Sequence, residues 1–324
     1  MRRWPTAALL IAALVCLIAG PALAKINWHD SYEAALAAAE ESGKPIFIFV
    51  YLGDQVGERV GPREEIRLDR RQSTSRRQRI DVTRMLEQTL TAPEVMEAAK
   101  QFEALKLDLL DRANDEARHA LRVSPGVDPS GETRAAMYPI TVFLDPSGEE
   151  LFRRHGSMPA VGYAAQLDQA ARLHALRAAV NEDPRDPVKR RELGRAYMEM
   201  DPTPEGRIYA TAVEHLEAAI RLDPDNAAGA KFDARVDLAI LDIPQSPEQS
   251  VTRLNELQGE DADGHRALEL QYYTAVAHFA MEDYNAARQI LRKFETDDRR
   301  SPYRDSPWTP QALGLLEYIK QLTR

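Results

Sequence analysis

From Trp28 to Val180 the apolar positions switch repeatedly between a helical period and short continuous runs. Trp28 and the stretch from Tyr32 to Ala39 carry apolar residues at helical spacing, and Gly43 stands where a helix should stop. Lys44-Pro45 then leads into Ile46-Phe47-Ile48-Phe49-Val50-Tyr51-Leu52, a β-branched and aromatic run that suits a strand buried on both faces. Helical spacing returns from Ala92 to Gln101, with Pro93 placed for a first turn. Phe102 to Leu110 predicts another strand and Asn114 to Leu121 a short helix. Residues 138–152 predict a hairpin around Asp145-Pro146-Ser147-Gly148, and Ala160 to Val180 an amphipathic helix. Alternating strands and helices of this kind predict a layered α/β domain, here 25–178.

Beyond about Asn181 the rhythm becomes purely helical. Leu193, Gly194 and Tyr197, then Ala212, Leu216, Ala219 and Pro224, follow one order; Ala275, Asp283, Tyr284, Ala287 and Leu291 follow it again. Ala227 to Leu257 fits it poorly, and Thr309 to Leu322 predicts a closing helix. The order resembles the tetratricopeptide repeat, in which small residues let paired helices approach closely. A plain helical bundle accounts for the same apolar spacing. The expected second domain is therefore all-α and TPR-like, 179–324.

Two segments break the pattern. Arg2 and Arg3, an apolar run from Ala7 to Ala19, Gly20-Pro21 and Ala22-Leu23-Ala24 have the layout of a secretory signal peptide, 1–24, cut after Ala24. The expectation is a secreted or periplasmic protein, with an uncleaved anchor as the alternative. Between about 53 and 83, Arg63, Arg67, Arg70, Arg71, Arg76, Arg77 and Arg79 crowd a stretch with few large apolar residues. It reads as an exposed insertion, either solvated or in contact with an anionic partner such as the envelope surface. The formal net charge is −9, and losing Arg2 and Arg3 with the leader makes it more negative, which argues against a nucleic-acid partner.

Cys16 is the sole cysteine, so residues 25–324 contain no thiol. That excludes thiol catalysis, disulfide exchange and thiolate metal sites from this region, whose stability must come from its core. The seven histidines show no H-x-x-x-H spacing, and Asp261 and Asp263 with Gly264 do not match a calcium loop. No Gly-rich phosphate loop or G-x-S-x-G elbow is present. Nothing in the residues calls for a metal, a cofactor or an enzymatic activity.

Three stretches in order carry a resemblance: Ser42-Gly43-Lys44-Pro45 with its strand, Leu90-Thr91-Ala92-Pro93-Glu94-Val95, and the Tyr138-Pro139 hairpin. Over about 26–175 the chain resembles the thioredoxin-like superfamily. The resemblance implies a central mixed sheet flanked by helices, with Pro139 as a cis-proline beside a peptide-docking edge. Its reactive cysteines would follow the first of these strands, where this chain has Leu52-Gly53-Asp54-Gln55-Val56-Gly57. Met137, Tyr138, Gly53, Asp54 and Gln55 then become candidate peptide-binding residues, joining by strand addition. The expected function is non-catalytic protein–protein interaction, chaperone-like or scaffolding, with a polypeptide partner on the helical domain. The alternatives are a non-thiol enzyme and an envelope adaptor docking through its arginines.

Overall fold

Strand β2 (Ile46–Tyr51) is the centre of the first half, and its side chains from Ile46 to Val50 are all inaccessible to solvent. The computed structural model describes residues 25–52, 82–123, 138–200, 206–261, 264–296, 298 and 300–323. The expected leader, Gly53, Asp54, Gln55, Met137 and the seven arginines from Arg63 to Arg79 lie outside the described residues. The chain divides into two units, Met1–His174 and Ala175–Arg324.

In the first unit, β1 (Trp28–His29), α1 (Tyr32–Ser42) and β2 are followed by a π-wound turn at Met85–Thr89 and by α2 (Pro93–Ala98). Then come β3 (Glu103–Asp108), α3 (Asp115–Ala120), β4 (Ile140–Leu144), β5 (Glu150–His155) and α4 (Ala160–Glu182). The five strands form one mixed sheet in the order β1-β3-β2-β4-β5. Strands β1 and β2 both run parallel to β3, whereas β4 is antiparallel to β2 and to β5.

The two-residue period of a strand sorts β2 into two faces. Ile46, Ile48 and Val50 join Leu105, Leu107, Ile140 and Val142 in a core closed by Ala35 and Ala39 of α1 and by Ala117 and Leu121 at α3. Phe47 packs the other way, edge-on to Trp28 at 5.4 Å and to Phe102 at 5.7 Å. Phe143 stacks on Phe152 at 4.5 Å, and the buried Tyr163 hydroxyl of α4 meets Thr141 Oγ1 at 3.1 Å. Each such side chain, fully buried, contributes roughly 1.5–3 kcal/mol.

Trp28 corrects the expectation of helical spacing at that position. Ser31 is extended and its hydroxyl accepts a bond from the Ala34 amide, so the helix starts at Tyr32 and Trp28 lies in a strand against Phe47. The Asp145 turn behaves as its residue types require: Asp145 Oδ1 accepts from the amides of Ser147 and Glu149, both at 3.0 Å. Gly148 sits at φ 85°, the left-handed region that favours glycine, with Leu36 Cδ2 3.0 Å from where a Cβ would lie.

The second unit is helical. Its helices are α5 (Pro187–Met198), α6 (Arg207–Leu222), α7 (Ala230–Leu241), α8 (Pro247–Glu260), α9 (Ala267–Ala280), α10 (Tyr284–Leu291) and α11 (Thr309–Leu322). Ala227 to Leu257, which fits the repeat order poorly, nevertheless contains two helices, α7 and α8, packed on each other around Val236, Ile240, Leu254 and Leu257. At Gly194, α5 comes close enough to α6 that a Cβ there would lie within 2.8 Å of Leu216 Cγ. A second apolar cluster joins Ala275, Ala287, Leu291 and Phe294 to Ala312, Leu316 and Ile319 of α11. Among the described residues, no helix is long and apolar enough to cross a membrane.

Candidate functional site

The end of the sheet where β2 and β3 finish and β4 begins holds the described part of the expected docking edge. The Tyr138–Pro139 peptide bond is cis, and the Pro139 carbonyl accepts a bond of 2.8 Å from the Gly156 amide just past β5. Tyr138 is buried, which pushes its phenol up to about 12 against the opposing charge of Arg153. Arg153 donates from Nε to Glu150 Oε1 at 2.9 Å and from a terminal nitrogen to the Leu121 carbonyl at 2.9 Å, tying β5 to the end of α3.

Across the sheet, burial and then the charges of Asp108 and Asp111 raise the Tyr51 phenol. Asp108 accepts from the Leu110 amide at 2.9 Å, and Asn114 donates to the Asp108 carbonyl at 2.9 Å. Both phenols therefore stay protonated near neutrality, which makes them hydrogen-bonding and packing groups and not bases. Tyr138 and Pro139 lie together at this edge; Gly53, Asp54, Gln55 and Met137 lie outside the described residues.

His29, Glu103 and Ser42 hold catalytic residue types but not a catalytic geometry. The imidazole Nε2 is 2.7 Å from one Glu103 oxygen, and the Ser42 hydroxyl donates to the other at 3.0 Å. The carboxylate stands between hydroxyl and imidazole, so the imidazole does not bond to the hydroxyl it would have to deprotonate. Burial pushes Glu103 up, but the bonds from His29 and Ser42 and the charge of Lys44 outweigh it and hold the carboxyl below its usual range. The trio latches β1 and the end of α1 onto the start of β3. Among the described residues, no group of three or more histidine, aspartate or glutamate side chains is placed to hold a metal ion.

In the helical unit, a buried ion network joins α5, α7 and α9. Asp237 has no solvent exposure, and its carboxylate accepts from Arg191 at 2.7 Å, Arg195 at 2.7 Å and Arg266 at 3.0 Å. Glu269 accepts from Arg266 at 2.7 Å and Arg195 at 3.1 Å, and Asp233 from Arg266 at 3.0 Å. Three guanidinium groups thus meet these three carboxylates, and Arg195 also donates to the more exposed Glu199 at 3.3 Å. Burial works against the charge of Arg266, but its bonds to Glu269 and Asp237 prevail and raise its pKa. Glu269 is likewise pushed up by burial, and Arg266 and Arg195 pull it below the usual carboxylate range. The residue types were visible in the sequence at i,i+4 spacing in Arg191/Arg195 and Asp233/Asp237, and at i,i+3 in Arg266/Glu269. What was not visible was that three helices turn these rows toward one another.

A cleft of about 550 Å³ opens over α6, α7 and α8. Tyr209, Val213 and Glu217 project from one face of α6, since they are four residues apart; Arg235, Leu238, Ala239 and Asp242 come from α7, and Arg253, Glu256 and Leu257 from α8. Tyr209 donates to Asp242 at 2.8 Å, and burial followed by that bond pushes its phenol up to about 12. Arg253 pairs with the other Asp242 oxygen at 2.5 Å, while Arg235 forks onto Glu260 at 2.5 and 2.9 Å. Sequence reading passed over this cleft because its charges look like ordinary solvated helix faces one helix at a time.

No protein-family model matches the chain, and no curated protein matches it. A solved structure named DsbH oxidoreductase is similar at 19% identity, over 48% of this chain and 90% of its own, with a TM-score of 0.32. That score is too low to bear on fold or activity.

Proposed function

We propose that the chain is an exported, non-catalytic polypeptide-binding protein in which a thioredoxin-like domain without its thiols precedes a TPR-like helical domain. The observation that carries this reading is the conjunction of a cis-proline hairpin on a mixed β1-β3-β2-β4-β5 sheet with the absence of any cysteine from 25–324. A mixed sheet flanked by helices with a cis-proline before the hairpin fits the shape that the sequence resemblance implies. The position that would hold the reactive pair reads Gly53-Asp54-Gln55-Val56. Sulfur chemistry is thus removed from a domain that keeps the cis-proline turn at the start of β4.

The helical unit supplies the second support. Gly194 lies against Leu216 of α6, and Ala212 and Ala287 are fully buried, which supports the repeat reading; helical repeats offer extended surfaces for polypeptides. Export is inferred from the leader-like first 24 residues, and a chaperone-like or scaffolding role follows from binding without catalysis. The test is titration of the full chain, carrying Cys16→Ser, into a permanently unfolded, carboxymethylated client by calorimetry. Saturable binding without ATP is expected; no heat at concentrations well above those of known polypeptide binders would overturn the reading.

A further inference from the structure

We propose that the cleft over α6, α7 and α8 receives a polypeptide segment in which an apolar side chain is flanked by lysine or arginine. The inference rests on the polypeptide-binding reading above and names the chemistry of the partner. The floor is apolar: Leu257 and Ala239 are buried, and Val213 and Leu238 are half-buried. A volume of about 550 Å³ falls within the range of roughly 300–1,000 Å³ typical of binding pockets.

The walls decide the charge of the occupant. Both cations are already committed, Arg235 to Glu260 in a two-pronged bond and Arg253 to Asp242, which also accepts from Tyr209. An anionic segment would meet guanidinium charges that Glu260 and Asp242 already offset. The carboxylates of Glu217 and Glu256 are differently placed. Glu217 is 56% exposed and held only by an exposed i,i+4 pair with Arg221 at 3.7 Å, and Glu256, whose charge also acts on Arg235, lies in no contact ion pair among the described residues. They stand on α6 and α8, on either side of α7. A lysine or arginine can lay its methylene stem on the apolar floor and carry its charge to Glu256, or to Glu217 in competition only with its weak exposed pair to Arg221.

The full chain carrying Cys16→Ser is titrated, by fluorescence anisotropy, with three labelled peptides of equal length whose central leucine is flanked by lysines, serines or glutamates. The lysine peptide binds most tightly. Glu217→Gln with Glu256→Gln weakens it roughly 2- to 30-fold, the sum of two exposed ion pairs, and leaves the serine peptide unchanged. Both glutamates are exposed, so the circular dichroism spectrum stays the same. Val213→Trp, which fills the floor without adding charge, weakens the lysine and serine peptides alike. A glutamate peptide that binds as well as the lysine peptide overturns the proposal. So does a lysine peptide indifferent to all three substitutions; if the unfolded client still binds in that case, the polypeptide-binding reading stands and only this cleft is wrong. If neither peptide nor client binds, both fall.

Discussion

Asp237 is where the helical unit concentrates its charge: a carboxylate without solvent, met by guanidinium groups from two helices other than its own. A buried ion network of this kind adds little stability over a well-packed apolar one, but removing one member strands its partners. Asp237→Ala is therefore expected to cost about 3–5 kcal/mol in urea unfolding followed by circular dichroism. The exposed pair of Lys320 with Glu295 is the control, and Glu295→Ala is expected to cost about 1 kcal/mol or less. Acidification should act on the same network. Glu269 has a folded pKa below its unfolded one, so its contribution is fully present above the ordinary carboxylate range and is lost as pH falls through the depressed folded value. Thermal midpoints of the helical transition measured at successively lower pH should fall there, and the fall should shrink in Glu269→Gln. Equal acid sensitivity in the two proteins would show that Glu269 is not responsible.

Among the elements, α5 and α6 depend on the absence of a side chain at Gly194. A methyl group would press on Leu216 Cγ at 2.8 Å and on the Ala212 carbonyl at 3.1 Å. In an open helix Gly→Ala would gain up to about 1 kcal/mol from propensity. Here overpacking, about 1–3 kcal/mol, exceeds that gain, and Gly194→Ala is expected to lower stability by denaturant titration. The same small residue was legible in sequence because it recurs in an order with Leu193 and Tyr197. Continuous runs such as Ile46 to Val50 were legible too, since a strand buried on both faces leaves no polar alternation. Trp28 was misread because two strand residues carry no period of their own; their strand exists only because β3 lies beside it. The ion network and the cleft were illegible for a related reason. Each needs side chains from three helices, and the sequence of one helix does not say which way its neighbours face. Of the residues singled out for docking, Tyr138 and Pro139 are described in place, while the remainder fall outside the described residues.

For the whole molecule, the leader-like segment has a direct consequence. If the chain is exported as proposed, amino-terminal sequencing of the protein recovered from its natural compartment should begin at Lys25, and recovery of Met1 or Arg2 would contradict export by cleavage. Under the proposed function, a thioredoxin-like domain has been kept for binding alone. Reduction of insulin by dithiothreitol, followed as turbidity of the released B chain, tests both halves of that claim in one trace. A thiol catalyst brings precipitation forward, whereas a polypeptide binder delays it and lowers its extent. With the Cys16→Ser chain present in stoichiometric amounts and without ATP, delayed and diminished turbidity is expected. Turbidity that appears earlier, or is unchanged at excess protein, would contradict the account.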